Sequence, residues 1–348
     1  MGGERGWRAW VGERRFKHGL RRSPALAATV TRVGDTAAML AQMQRMLVAL
    51  ALFAALAWSA WAHRHGVSLA GWLAGLALTL APHAPLLALE FVLLAALGRD
   101  PLAPPASARQ LLRAWRGEVL TGWRVFGWRQ PFAADQVPDL LPSTPPAAAG
   151  PMGVLLLHGY VCNRGLWTPW LKRLQAEGVP CMALSLEPVF GRIERYNPAI
   201  EAAVLALQRA TGRPPLLVAH SMGGLAVRAW LAGQPDAAAA DARVAGVVTI
   251  GAPHHGTWTA RFGFSANARQ MRQGNAWLQA MAGAESAQRR ARFTCFYSHA
   301  DNIVFPASTA MLDGADNRHV PGTAHVHMAF EPVVIEAVLQ QLGVARTA

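Results

Sequence analysis

One serine of the sequence stands where a chain can turn sharply from a strand into a helix. Ser221 lies in "PPLLVAHSMGGLAVRAWLA", residues 214 to 232, between an apolar run and a segment with helical spacing. The run predicts a buried parallel strand. A serine at such a turn takes a strained conformation, so the residues two positions away must be small. Ala219 and Gly223 are small, and the pattern predicts a nucleophile elbow rather than an incidental serine.

A serine hydroxyl needs an imidazole to accept its proton and a carboxylate to orient that imidazole. The chain order expected with this elbow is serine, acid, histidine. Asp301 follows a predicted strand in "ARFTCFYSHADNIVFP", and His325 lies in "HVPGTAHVHMAF", just before an amphipathic C-terminal helix. We therefore predict Asp301 as the acid and His325 as the base for Ser221.

Neighbouring residues offer alternatives for the acid and the base. Asp313 and Asp316 lie beyond the expected acid loop in a polar turn, which favours a solvated position. His319 falls in the preceding predicted strand, and His327 falls at the predicted start of the final helix. The G-x-x-H spacing favours His325 as the loop residue, and His327 is the main alternative base.

Acyl transfer also needs backbone N–H donors aimed at the oxygen that becomes negative. Met222 follows the serine and supplies one predicted donor. The segment "MGVLLLHGY", residues 152 to 160, predicts a strand followed by a loop, so Tyr160 is the predicted second donor. Gly159 allows the backbone to approach the substrate closely, and we interpret His158 as a structural loop residue.

Five ordered motifs between about residues 150 and 345 resemble α/β-hydrolases of the bacterial lipase/esterase type. They are "LLLHGY", "AHSMGG", "GAPHHGT", the Asp301 loop and "GTAH". The elbow departs from G-x-S-x-G in having Ala219 at the first glycine position. The resemblance implies an α/β-hydrolase fold, with a mostly parallel sheet and helices on both faces. It also implies cleavage of carboxylic esters through an acyl-enzyme.

The sequence also contains residues that could serve chemistries other than ester cleavage. His254 and His255 have no carboxylate or cysteine at ligand spacing, which favours a loop-structuring or pocket-wall role over a metal site. No phosphate-binding or mononucleotide motif is present, and we predict no cofactor. The same residues could serve a thioesterase, an amidase or an acyltransferase. A catalytically silent hydrolase fold acting as a membrane interaction module is a different class of function.

The N-terminal third of the sequence is strongly apolar. Residues 46 to 62 are uncharged and long enough to cross a bilayer. A second apolar stretch, interrupted by Glu90, runs to Gly98, and Pro82 and Pro85 are expected to kink it. We predict two transmembrane helices that form a hairpin, and a soluble helical cap is the alternative.

Basic residues flank the predicted hairpin, and the chain carries a formal net charge of +13. Under the positive-inside rule they place the catalytic domain on the cytoplasmic face of a bacterial inner membrane. A start at Met39, Met43 or Met46 would instead make the first span resemble a signal sequence, with a small-x-small cleavage site at residues 60 to 62 and a periplasmic enzyme. No nucleic-acid-binding signature accompanies the charge, which favours anionic lipid over nucleic acid.

The expected organisation is a basic segment at 1–45, a transmembrane hairpin at 46–98, an amphipathic segment and Pro/Ala linker at 99–150, and the catalytic domain at 151–348. The 99–150 segment contains Trp115, Trp123 and Trp128. These tryptophans fit either an interfacial helix or an accessory strand pair. Residues 258 to 290 form a lid or an ordinary surface helix. The apolar face of such a lid would be Phe262, Phe264, Trp277 and Leu278. The membrane segment and the lipase-like motifs favour a lipid-like acyl ester as substrate.

Overall fold

The computed structural model describes the backbone of residues 24–142 and 150–344, and the side chains from residue 39 onward. The first half of the predicted basic segment and most of the predicted Pro/Ala linker lie outside the described residues. The N-terminal helices are α1 Pro24–Arg64, α2 Leu69–Leu80, α3 His83–Leu97 and α4 Ala108–Arg124. A π-helical turn, Val125–Arg129, and a short turn, Gln130–Phe132, continue α4.

A six-stranded parallel sheet forms the centre of the remaining chain, in the order β2-β1-β3-β4-β5-β6. Its strands are β1 Val154–Leu157, β2 Cys181–Leu184, β3 Leu216–His220, β4 Gly246–Ile250, β5 Phe293–Tyr297 and β6 Asp316–His319. Two neighbouring interior strands of the sheet, β1 and β3, are buried at every position. Burial on both faces explains why their sequences are continuous apolar runs rather than alternating ones.

Helices cover both faces of the sheet. They are α5 Thr168–Ala176, α6 Asn197–Thr211, α7 Met222–Ala232, α8 Ala237–Ala242, α9 Ala266–Gln270, α10 Ala276–Ala284, α11 Ala287–Arg290, α12 His325–Met328 and α13 Pro332–Gln341. One apolar core lies between the sheet and α6 and α7, around Ile200 and Trp230. The other lies between the sheet and α5 and α13, around Leu171 and Val338. The predicted fold class, a mostly parallel sheet with helices on both faces, is confirmed.

The C-terminal segment differs from the prediction of one final helix that starts at His327. The chain there forms two helices, and α12 already begins at His325 while α13 begins at Pro332. Proline has no N–H to donate within a helix but fits the first helical turn. Pro332 therefore starts a new helix instead of continuing α12.

One described helix is long and apolar enough to cross a membrane. It is the Met39–Arg64 part of α1, with 26 residues and a mean hydropathy of 1.7. The second predicted span is instead two helices, α2 and α3, which meet at 76° near Pro82. They have 12 and 15 residues, and each alone is shorter than the roughly 20 residues that a span requires. The structure thus supports one candidate span and a broken second segment.

The helices α3 and α4 pack against the part of the chain that contains the sheet. Their shared buried cluster consists of Phe91, Leu94, Ala114, Ala300, Phe305 and Ala324. Trp115 donates its indole N–H to Ala84 O and Trp123 donates to Leu80 O, so both tryptophans tie α4 to the helices before it. The alternative prediction of an accessory strand pair for these tryptophans is therefore wrong. A capping box at Ser107 begins a helix there instead.

The 258–290 segment contains a 3-10 turn, Trp258–Phe262, followed by α9, α10 and α11. Phe262 and Phe264 are exposed, but Trp277 and Leu278 are buried in the core beside α7. The predicted apolar face of a lid is thus wrong for Trp277 and Leu278. Their side chains belong to the domain core because α10 packs directly on α7.

A fully buried ion pair joins α7 to the loop after α10. Arg228 donates from Nε and Nη2 to the two carboxylate oxygens of Glu285, at 2.8 and 2.7 Å, and neither side chain is exposed. Arg228 also donates to the carbonyl oxygen of His254 at 3.0 Å. The guanidinium therefore holds the chain after β4 as well as the 258–290 segment.

Replacing Arg228 with Met is expected to lower the free energy of unfolding by about 3–5 kcal/mol, because it leaves a buried carboxylate without its partner. Urea unfolding in detergent measures the change. The matched control is Arg318→Met, which removes an exposed ion pair with Asp316 and should cost less than about 1 kcal/mol. Equal losses in the two variants would contradict the structural importance of the buried pair.

Candidate active site

Ser221 occupies a strained turn between β3 and α7. Its φ of 55° and ψ of −128° lie in a region that residues other than glycine rarely adopt. A Cβ on Gly223 would lie 2.7 Å from the carbonyl oxygen of His158, and a Cβ on Gly159 would lie 2.7 Å from Ser221 Cβ. The close approach of the chain after β1 thus leaves no room for a side chain at Gly223 or Gly159.

Ser221, His325 and Asp301 form one continuous chain of hydrogen bonds. Ser221 Oγ lies 2.9 Å from His325 Nε2, and His325 Nδ1 lies 2.9 Å from Asp301 Oδ2. Asp301 Oδ1 accepts from the N–H groups of Ile303 and Val304, at 2.9 and 2.7 Å. The loop of Asp301 thus fixes Oδ1 and leaves Oδ2 to bind the imidazole.

The protonation of His325 is set by opposing effects. Burial disfavours the imidazolium, but the Asp301 carboxylate favours it by charge and by hydrogen bonding, and Glu118 and Glu90 add further negative charge. The carboxylates outweigh burial and raise the pKa of His325 above its ordinary 6.5. An imidazole in this position readily takes the proton of Ser221 and holds the resulting charge.

The alternative acids and bases lie away from Ser221. His327 faces Glu331 at 3.6 Å, and His319 of β6 stacks on Tyr297 of β5. Asp316 pairs with an arginine at the exposed end of β6, and Asp313 is exposed. Of the histidines and aspartates considered from the sequence, the structure brings His325 and Asp301 to the serine.

The two predicted oxyanion donors flank the same turn. Met222 is the first residue of α7, where backbone N–H groups have no acceptor inside the helix. Tyr160 follows Gly159 in the loop after β1, and its hydroxyl lies 3.0 Å from Ser265 Oγ. The next residue, Val161, has a φ of 53°, so the loop that carries Tyr160 is strained.

Three other buried histidines are neutral and have structural partners. His158 accepts from Leu186 N at 2.8 Å, and burial lowers its pKa to about 4. His254 lies 3.0 Å from Thr249 Oγ1, and burial lowers its pKa well below the ordinary value. His220 donates to the carbonyl oxygen of His325 at 3.1 Å. Among the described residues, no cluster of His, Cys, Asp and Glu has the form of a metal site.

The sequence did not reveal several residues that contact the Asp301–His325 pair. Gly251 has a φ of 56°, and a Cβ there would lie 3.0 Å from Asp301 Oδ2 and 3.1 Å from His325 Nδ1. Asn302 accepts from His325 N at 3.3 Å and donates to Glu90 Oε2 at 2.6 Å. Gly251 is the first glycine of "GAPHHGT", and its place in that motif is the sequence signal that could have identified it.

Glu118 of α4 is a further residue that the sequence did not single out. Its buried carboxylate accepts from the N–H of Val326 at 2.9 and 3.1 Å and from that of His327 at 2.9 Å. These are N–H groups of the first turn of α12, directly after His325, where a negative charge is favourable. Burial raises the pKa of Glu118 to about 7.

The profile of the alpha/beta hydrolase family matches residues 154–343. The match covers more than half of the chain, and the chain belongs to this family. The match begins at β1 and ends just after α13, so it includes the whole sheet and all three residues of the hydrogen-bonded chain. No curated protein matches the sequence significantly.

Several solved structures are similar to the chain. Lipase B of Aspergillus fumigatus has a TM-score of 0.49 at 17% identity, over 57% of this chain and 55% of its own. Lipase BlEst2 of Bacillus licheniformis, in its mature form, has a TM-score of 0.48 at 16% identity, over 58% of this chain and 95% of its own. A monoacylglycerol lipase of Paleococcus ferrophilus has a TM-score of 0.40 at 14% identity, over 56% and 98%. Likenesses this distant say nothing about the substrate of this chain.

The rate at which a fluorophosphonate labels Ser221 is expected to fall at low pH with a midpoint above 6.5, because protonated His325 cannot accept the serine proton. Glu118→Gln keeps an acceptor for α12 but removes a charge that favours the imidazolium, so the midpoint should move to lower pH. The matched control is Glu331→Gln, a change of the carboxylate that faces His327, and it should leave the midpoint in place. A Glu118→Gln variant that reacts more slowly with an unmoved midpoint would assign Glu118 a packing role alone.

Proposed function

We propose that the protein is a serine hydrolase that cleaves carboxylic esters through an acyl-enzyme. The observation that carries the proposal is the unbroken hydrogen-bonded chain from Ser221 through His325 to Asp301. A strained serine at the carboxyl end of a parallel strand, in contact with a buried imidazole and carboxylate, is the arrangement that activates a hydroxyl for acyl transfer.

In the proposed reaction Ser221 Oγ attacks the ester carbonyl carbon while His325 Nε2 accepts the hydroxyl proton. Asp301 holds the imidazole in the required orientation and stabilises its charge. The N–H groups of Tyr160 and Met222 donate to the tetrahedral oxyanion. The carbon–oxygen bond to the alcohol then breaks as His325 returns the proton to the leaving oxygen. Water, deprotonated by the same imidazole, releases the acid from Ser221.

The proposed substrates are lipid-like esters, and the proposed location is a membrane surface. Support comes from the apolar α1 and from α3 and α4, which pack beside the acid and base loops. We also propose that the segments 46–98 and 99–150 anchor the 151–348 domain at the cytoplasmic face of a bacterial inner membrane. The arginines that flank the helices support that side.

Detergent-solubilised protein is expected to hydrolyse p-nitrophenyl esters and to be labelled by a fluorophosphonate at Ser221. Ser221→Ala and His325→Ala should each lower kcat by at least about 10³-fold, since such residues act as a unit. His327→Ala is the matched histidine control and should keep activity within about twofold of the wild type, because His327 lies outside the hydrogen-bonded chain. A wild-type protein that neither hydrolyses any ester nor reacts with the probe would support a silent hydrolase fold.

The cytoplasmic orientation predicts opposite behaviour of two reporters fused after residue 344. A fluorescent protein that folds only in the cytoplasm should be bright, and an alkaline phosphatase that is active only after export should be inactive. The reason is the excess of arginine beside the helices, which resists translocation. The reverse pattern would place the enzyme on the periplasmic side.

A further inference from the structure

An apolar groove runs between the N-terminal helices and the loop after β1. Its volume is about 420 Å³, within the range of about 300–1,000 Å³ that small-molecule sites occupy. The wall from α1 includes Met43, Leu47, Val48, Ala51 and Leu52. The opposite wall comes from α2, α3, α4 and the π-helical turn, and includes Leu80, Leu87, Trp123 and Phe126.

The outer end of the groove reaches the surface of the candidate membrane span. Leu47 and Leu52 line the groove and are 58% and 53% exposed. Leu50, Phe53 and Leu56 continue the same exposed apolar surface along α1. Exposed apolar surface of this extent marks a site of contact with apolar partners or with a membrane. With α1 in a bilayer, as proposed above, this end of the groove would face the acyl layer.

Two residues of the groove lining adjoin or bind segments of the candidate active site. Val161 lines the groove and directly follows Tyr160, the proposed oxyanion donor. Glu118 also lines it and binds the backbone directly after His325. The left-handed conformation of Val161 is costly for a β-branched residue. A strained residue between groove and site fits a functional position.

Most polar groups of the lining have a partner on the protein. Gln44 donates to Gln130 Oε1 at 2.8 Å, while its own Oε1 is buried without a partner. The Glu118 carboxylate accepts three hydrogen bonds from α12. His83 Nε2 lies 3.1 Å from Val119 O. An occupant with many hydrogen-bonding groups would lose its hydration there without compensation, whereas a hydrocarbon chain gains from burial.

From the positions of Val161 and Glu118 in the groove lining we propose that the groove holds one fatty acyl chain of a membrane lipid while the ester carbonyl of that chain lies at Ser221. The inference rests on the proposed function and narrows its substrate to long-chain esters drawn laterally from the membrane. The N-terminal helices then supply the acyl-binding site, and the hydrolase domain supplies the chemistry.

The test is a substitution that fills the groove from α1. In full-length, detergent-solubilised protein, Ala51→Trp is expected to lower the ratio of kcat/KM for p-nitrophenyl palmitate to that for p-nitrophenyl acetate at least about tenfold, because the loss of a few buried methylenes is sufficient. Ala49→Trp makes the same change at an exposed position of α1 outside the groove lining, and its ratio should match the wild type. Leu47→Trp provides a second filling variant if Ala51→Trp does not fold.

The outcomes separate this inference from the proposed function. Hydrolysis of both esters with the same ratio in Ala51→Trp, Leu47→Trp and Ala49→Trp would overturn the groove assignment and leave the esterase proposal intact. A change in oligomeric state at an unchanged ratio would assign the groove to a second copy of the chain instead.

The absence of any hydrolysis or fluorophosphonate labelling in the wild type would overturn the proposed function itself. Slower labelling of Ala51→Trp by a hexadecyl fluorophosphonate alone, with a short-chain probe unaffected, would support the groove independently of turnover.

Discussion

Three separate segments of the chain hold His325 and the residues directly after it, and the geometry of the candidate site depends on their agreement. Asp301 binds Nδ1, Asn302 accepts from the backbone N–H, and His220 donates to the carbonyl oxygen. Glu118 fixes the N–H groups of the next two residues. A buried imidazole without these contacts would have no defined orientation towards Ser221.

Burial of the imidazole also requires compensating charge. Desolvation acts against the imidazolium, and three carboxylates on Asp301, Glu118 and Glu90 act in its favour. Asp301 comes from the loop after β5, but the other two come from α4 and α3. The N-terminal helices therefore contribute to the electrostatics of the candidate site, because two of the three negative groups around His325 belong to them. An apolar cluster and the Glu90–Asn302 hydrogen bond join α3 and α4 to the loop that carries Asp301. These contacts keep the two carboxylates near His325.

Local patterns predicted the parts of the structure that are determined locally. The apolar run before Ser221 and the small residues around it specify a buried strand and a sharp turn, whatever the rest of the chain does. The order of Ser221, Asp301 and His325 follows from the topology of a parallel sheet, in which the loops at the carboxyl ends of the strands meet. Glu118 and Glu90 could not be predicted in this way, because their partners lie about two hundred residues away and no local pattern marks them. The burial of Trp277 was missed for a similar reason, since an aromatic residue in an amphipathic helix is equally suited to a lid and to a core.

The break at Pro82 gives the second apolar segment a different architecture from a straight span. A continuous helix would lead the chain directly away from the first span, whereas the 76° bend turns α3 onto the loops that carry Asp301 and His325. The bend also leaves space between α1 and α4, and Leu80, Pro82 and His83 at the bend line the groove. Glu90 can reach Asn302 only because α3 runs in this direction. The same change of direction thus brings the Glu90 carboxylate near His325 and lines the apolar groove, so one structural feature connects the candidate span to the candidate active site.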